Sequence, residues 1–496
     1  MRRILLGLTL LLAVLVSVVL VRTWSLAAPA YMQADPTPLP AHARLQFDLG
    51  RAAAHVGEAI AIPTVSAQEV PDSGHDRASW QQLHDWLERT YPLTHATLLR
   101  EKVADWTLVY RWAGSAPALP PIVLMAHQDV VPVTPGTEHE WRHPPFAGTV
   151  AEGAVWGRGA IDDKGSLVAL FEAVEALLRR GYLPQRTVLL ISGHDEEVGG
   201  TGAQAAARWM AERQLRALFV LDEGMVTVTD FPLLKAPVAL IGVAEKGYGT
   251  LRVTAQGEGG HSSMPPPETA VGTLAQGLVA LAAQPDPYRL EGPAWETLRA
   301  VAPRAGFGTR MAIANRWLFA PLLKDQISRT ASGAALLHTT QAPTMLRGSP
   351  KENVLAAEAE ALINYRITPG QTPDTVIARA RAALAGLPLN IAWNGTPKPP
   401  SPVAPTDSTA FRWIARMAGD NGELPVAPAL VLAATDSYHL GHVAEAVYRH
   451  QPLRLSLTEL SMIHGSNEHL TLPNLERLLH FYAGLIVLAT DRSATP

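Results

Sequence analysis

From Leu167, apolar residues recur at Leu170, Phe171, Val174, Leu177 and Leu178, and Gly181 follows a basic pair as a stop signal. That spacing predicts a helix with one buried face. An Ala-rich stretch, Ala203–Glu212, predicts a second. Around them lie short continuous apolar runs of strand length: Pro121–Ala126, Thr187–Ser192, Ala217–Leu221 and Val238–Val243. Unbroken apolar strands alternating with helices predict an α/β fold whose sheet is sandwiched by helices on both faces.

Near Glu245 the pattern changes. Tyr248–Gln256 alternates as a half-buried strand and Thr269–Ala283 reads as helix. An irregular stretch is expected from Pro285 to about Thr340, followed by strands Ala342–Leu346 and Glu360–Ile367, a helix at Pro373–Ala385 and a strand at Leu389–Trp393. The order β-α-β-β-α-β is that of a small ferredoxin-like α+β unit. The Pro-rich Thr396–Pro405 reads as a return linker, after which Phe411–Ala418, Ala429–Ala433 and Leu475–Leu488 resume the first pattern. The expected organisation is one α/β body, residues 31–244 and 397–496, interrupted by an inserted domain, residues 245–396.

Residues 1–30 stand apart. Arg2 and Arg3 precede an uncharged run, Ile4–Val21, closed by Arg22. The run is about the minimum for a bilayer span and longer than the usual core of a signal peptide. No polar face interrupts it, as a buried soluble helix would require. The leading arginines favour a cytoplasmic N-terminus and an exported body. Small residues at Leu26–Ala30 also allow cleavage, which would release a secreted form; the length of the run favours the uncleaved membrane anchor. Pro36–Pro40 reads as a tether between membrane and body.

At 496 residues the chain exceeds what one core usually organises. A formal charge of −4 without a Lys/Arg cluster gives no nucleic-acid signature. The absence of cysteine excludes disulfides, thiolate ligands and a cysteine nucleophile.

The candidate chemistry sits at strand ends and in loops, where open α/β sheets place their sites. GRGAIDDKG puts Asp162 and Asp163 on the turn into the first helix; Asp163 suits a helix cap, and Asp162 can be aimed at a metal. MAHQDVV puts His127 and Asp129 after a strand, two residues apart and on the same side, so that Asp129 can accept from one ring nitrogen while the other binds metal. GHDEEVGG carries Glu196 and Glu197, LDEG carries Asp222, and HGSNEHL carries His464. Any one of these has a structural explanation. Together they supply enough imidazole and carboxylate for two zinc ions sharing one carboxylate, with an acid left as base.

In combination, MAHQDVVPV, GRGAIDDKGS, GHDEEVGGTGA, LDEG, GHSSMPP, TDS and HGSNE resemble the co-catalytic zinc peptidases and amidohydrolases, the family of carboxypeptidase G, aminoacylase and succinyl-diaminopimelate desuccinylase. The chain is most similar to the branch of carboxypeptidase S and the N-fatty-acyl-amino-acid hydrolase/synthase. The resemblance implies that Asp162 bridges two Zn²⁺ ions through a carboxylate mounted on a cis bond to Asp163. Glu197 and His464 would complete one site, His127 and Asp222 the other. Glu196 would be the general base and Asp129 the orienter of His127. It further implies that the inserted unit is a lid and dimerisation domain, carrying His261 for the oxyanion, Asn353 for the transition state and Arg366 for the substrate carboxylate. Co²⁺ or Mn²⁺ in place of zinc stays open.

The implied substrates are small peptides or N-acyl amino acids with a free carboxylate. The apolar Arg316–Ile327 either lines an acyl-chain pocket or packs the lid. A competing reading, a non-catalytic cell-surface binding protein on the same fold, predicts loss of a ligand or of the base. None is missing.

Overall fold

The computed structural model describes residues 2–66 and 77–491. Its centre is a mixed sheet of 10 strands, with Val188–Ser192, Ile122–Met125 and Phe219–Asp222 adjacent and parallel in the middle. Alternate residues of these strands feed two separate cores. Ile122, Leu124, Leu190, Phe219 and Leu221 join a cluster with Leu167, Leu170, Phe171 and Val174 of helix Lys164–Arg179. Val123, Met125, Leu189, Ile191 and Val220 join another with Ala203, Ala206 and Met210 of helix Thr201–Glu212. Both faces are therefore covered, which is why these strands carry no polar alternation.

The inserted domain leaves the body as strand Ala236–Glu245 runs on into Gly247–Gln256, and the chain returns beside it at Lys398–Ser401. Tyr248 and Lys398 exchange backbone hydrogen bonds of 2.9 and 2.8 Å. A side chain at Gly247 would meet the Lys398 carbonyl at 2.6 Å, so this close crossing requires glycine. Beyond it lies a four-stranded antiparallel sheet ordered Thr340–Arg347, Glu358–Ile367, Gly247–Gln256, Leu389–Trp393, with helices Ala270–Ala283 and Pro373–Ala383. This is the strand order of a ferredoxin-like unit.

One expectation changes. The stretch expected to be irregular holds four helices, Gly292–Val301, Phe307–Ala314, Arg316–Ile327 and Ala331–Leu337. They have a small core of their own, including Leu298, Ile313, Leu323 and Leu337. Gly292–Val301 packs on strand Val426–Val431 of the body, and Thr297 Oγ1 donates to the Pro428 carbonyl at 2.6 Å. The segments on either side of the Pro36–Pro40 tether are packed against the body. Met32, Ala43 and Leu45 are buried in the main core, Tyr31 sets its ring against Phe411, and Asp35 pairs with Arg416 at 2.7 Å. Helix Arg2–Ser25 is long and apolar enough to cross a membrane and is exposed apart from Val19 and Thr23.

Candidate metal centre

His127 follows strand Ile122–Met125 and is fully buried. Its Nδ1 lies 3.0 Å from the Asp129 carbonyl and 3.3 Å from Asp129 Oδ1, which directs Nε2 outward. The same Asp129 carboxylate accepts from the amides of Glu196 and Glu197, one to each oxygen, both at 3.1 Å. One buried side chain thus orients an imidazole and fixes the turn that carries the paired acids.

Asp162 faces two histidines. Oδ1 is 2.8 Å from His127 Nε2, and Oδ2 is 3.1 Å from His464 Nε2. His464 Nε2 also lies 3.3 Å from Glu197 Oε2. The Asp162–Asp163 bond is cis, as the resemblance implied. Asp163 does not cap its helix: it occupies the cap position without a cap hydrogen bond, and its Oδ1 accepts from Gln451 Nε2 at 2.7 Å.

The loops bearing Asp162 and His464 are tied by residues that the motif reading passed over. Glu468 Oε1 accepts from the amides of Gly159, Ile161 and Asp162 at 3.1, 2.8 and 3.1 Å, while Oε2 pairs with Arg158 at 2.7 Å. Arg158 donates in turn to the carbonyls of His464 and Gly465. Their signal lay inside the quoted motifs, as the Glu of HGSNE and the Arg of GRGA.

Asp222, the ligand that the resemblance implied for the second ion, lies outside the clusters of ligand atoms that the structure brings together. Ligand atoms within 4.8 Å of one another form two groups among the described residues: His127 with Asp162 and Glu197, and His127 with Glu196 and Glu223. Asp222 and His464 belong to neither, but His464 Nε2 lies 3.1 Å from Asp162 and 3.3 Å from Glu197 of the first group. Asp222 ends its strand buried, and its Oδ2 accepts from the Ser437 amide at 2.8 Å, which anchors the TDS loop. Glu223, one residue on, enters the turn and reaches the cluster. Sequence spacing alone does not say which of two adjacent acids at a strand end does so. Asp436 of the same loop is buried close to Glu196.

The electrostatics suit a cation. Burial, reinforced by neighbouring acids, raises the carboxyls of Glu196 and Glu223 well above the ordinary range. Burial also raises Glu197. Burial would raise Asp162 too, but hydrogen bonds from His127 and His464 outweigh it and hold that carboxyl low. The Asp162 and Glu197 carboxylates push His464 up to about 10. Without a metal ion, protons on the imidazoles therefore balance the crowded acids. Buried Glu197 Oε1 has no hydrogen-bond partner among the described residues. Clustered carboxylate and imidazole without thiolate, with a buried carboxylate oxygen left unpartnered among the described residues, fits zinc.

The inserted domain holds the remaining candidates. His261 and Asn353 stand side by side: Gly260–His261 pairs with Val354–Leu355, and the Ser262 amide donates to the Asn353 carbonyl at 3.2 Å. His261 is exposed, and its Nδ1 is engaged by Ser263 Oγ at 2.7 Å. The hydrogen bonds of both residues stay within the inserted domain. Arg366 sits near the crossing point of the two domains, half-buried over the Tyr248 ring at 4.9 Å, with no ion pair among the described residues.

Comparison with known proteins identifies the family. The profile of peptidase family M20/M25/M40 matches residues 123–487. The chain is 34% identical over 442 residues to probable carboxypeptidase S-like 2 of Dictyostelium discoideum, covering 88% of this chain and 84% of that one. It is 33% identical over 440 residues to the human N-fatty-acyl-amino acid synthase/hydrolase, with 86% of each covered. The crystal structure of an M20 family metallo-carboxypeptidase from Sulfolobus solfataricus shares the fold, with a TM-score of 0.62 at 17% identity over 89% of this chain and 99% of that one. The chain belongs to peptidase family M20/M25/M40 and is a metal-dependent hydrolase.

Proposed function

We propose that the protein hydrolyses the amide bond joining an acyl or peptidyl group to a C-terminal amino acid, with two zinc ions sharing Asp162. One observation carries this reading: the two oxygens of Asp162 face two different imidazoles, each with another carboxylate close by. His127 and Glu223 would hold one ion, His464 and Glu197 the other. When bound, zinc supplies a Lewis acid for the carbonyl and acidifies water.

The chain's own residues do the rest. Glu196, raised by burial and facing His127, takes the proton of the attacking water and passes it to the departing nitrogen, a role worth roughly 10²–10⁴ in rate. Asp129 keeps Glu196, Glu197 and His127 in register. Arg366, a cation without a carboxylate partner among the described residues, binds the substrate carboxylate as a bidentate pair. His261 steadies the oxyanion and Asn353 contacts the substrate, both presented when the inserted domain closes or by the lid of a second copy. The names of the relatives, carboxypeptidase and N-fatty-acyl-amino acid hydrolase, both denote substrates of this kind. We assign helix Arg2–Ser25 as a membrane anchor with the body exported.

A panel of dipeptides and N-acyl amino acids, with metal content measured in parallel, tests this. Turnover is expected only for amides whose amino acid keeps a free carboxylate. Equal turnover of the carboxyl-amidated substrates would remove Arg366 from its role.

A further inference from the structure

We infer that helices Phe307–Ala314 and Arg316–Ile327 rest on the surface of the lipid bilayer and dip apolar side chains into its interfacial zone. The inference rests on the assignment of helix Arg2–Ser25 as a membrane span. The joint between these helices grips that span from the side. Buried Asn315 donates through Nδ2 to the Val19 carbonyl at 3.1 Å and to Thr23 Oγ1 at 3.2 Å. Arg310 donates to the carbonyls of Thr23, Trp24 and Leu26 at 2.8, 3.2 and 2.9 Å, supplying partners that a helix end lacks. Arg22 Nε donates to the Ala314 carbonyl, and Leu26 packs into the core of the helical platform.

Depth follows from where the grip falls. Val19 belongs to the uncharged run that ends before Arg22. Asn315 touches Val19 and Thr23, which bracket Arg22, so the joint sits within about one helical turn, roughly 5 Å, of the level where the run ends. A run of that length nearly matches the hydrocarbon core, so with the run embedded the joint cannot lie clear of the interface. Trp24, exposed at the end of the span, suits the same level.

The exposed face of Arg316–Ile327 is graded to match. Trp317, Leu318 and Leu322 are 54, 43 and 51% exposed, and exposed Pro321 lies among them. Their spacing puts them on one side. Further along that side, away from the joint, come exposed Asp325 and Gln326. Phe307, at the start of the neighbouring helix, is 52% exposed. Apolar side chains crowd the half-helix beside the membrane segment and give way to polar ones beyond it. Such a gradient along the helix follows the passage from apolar to aqueous surroundings across a bilayer interface.

The chain has no cysteine, so single-cysteine variants report one position each. Full-length Leu12→Cys, Trp317→Cys, Leu322→Cys and Gln326→Cys, spin-labelled in phosphatidylcholine vesicles, would be compared for collision with oxygen, which partitions into lipid, and with a water-soluble nickel chelate. All four residues are exposed, so labelling does not open a core. The expected result is oxygen preference at positions 12, 317 and 322 and chelate preference at 326. Lipid exposure at 12 with 317 and 322 no more lipid-exposed than 326 would overturn the platform's placement and leave the anchor standing. Chelate preference at 12 would overturn the anchor, and the platform with it. Shielding of 317 and 322 from both reagents would mean that protein covers the face, and would also overturn the inference.

Discussion

Asp222 and Glu223 are neighbours with different work. Asp222 holds the Ser437 amide and Glu223 joins His127. Glu223→Gln is expected to lose about one zinc equivalent, whereas Asp222→Asn keeps both and costs stability, as metal analysis of the purified variants would show. The reverse pattern would restore Asp222 as ligand. His464 sets a pH signature for the metal-free protein. Its folded-state pKa of about 10 exceeds the ordinary imidazole value of about 6.5, so its pairing with Asp162 and Glu197 stabilises fully below about pH 6.5 and fades as pH rises through 10. The thermal midpoint of chelator-treated protein should fall across that window. In His464→Asn, that part of the fall should vanish. An unchanged profile in the variant would contradict the pairing. The imidazole is half-exposed, so the amplitude is expected to be modest.

At the scale of elements, two loops distant in sequence are fastened by the buried pair Arg158–Glu468. Glu468→Ala leaves Arg158 buried without its counter-charge and frees three amides of the Asp162 loop. The expected loss is about 3–5 kcal/mol in denaturant unfolding, together with weakened metal binding. A loss below about 1 kcal/mol would mean that the pair is replaceable, as exposed pairs are. Such ties explain what could be read from the sequence. The central strands were legible because a sheet covered on both faces needs unbroken apolar runs, and the inserted unit because Gly247–Gln256 alternates cleanly. The loops of His127, Glu196–Glu197 and Asp222 were legible because each follows an unbroken apolar strand, that of Asp162 because it opens a helix, and that of His464 only by its residue types. The platform helices were not: they are 7–12 residues long and separated by short breaks such as Gly306, Asn315 and the 328–330 turn, so no long periodic window forms. Asp129's grip on the Glu196 and Glu197 amides spans 67 and 68 residues and leaves no local trace.

For the whole molecule, the separation of His261 from the metal centre matters most. It is exposed on the inserted domain, whereas every candidate ligand lies in the body. His261→Ala should slow turnover by about 2.7–4 kcal/mol in barrier, by analogy with other oxyanion donors, and leave metal content unchanged. Mixing inactive His261→Ala and Glu196→Gln subunits under exchanging conditions should restore partial activity if the lid of a second copy presents the histidine. No recovery despite demonstrated exchange would place His261 within its own chain. The central claim, a two-ion centre built on Asp162, is tested most directly by zinc-edge anomalous diffraction from crystals of the zinc-loaded protein. The account predicts two peaks flanking the Asp162 carboxylate, one ligated by His127 and Glu223 and the other by His464 and Glu197, with Glu196 on neither. A single peak, or Glu196 ligating an ion, would contradict it.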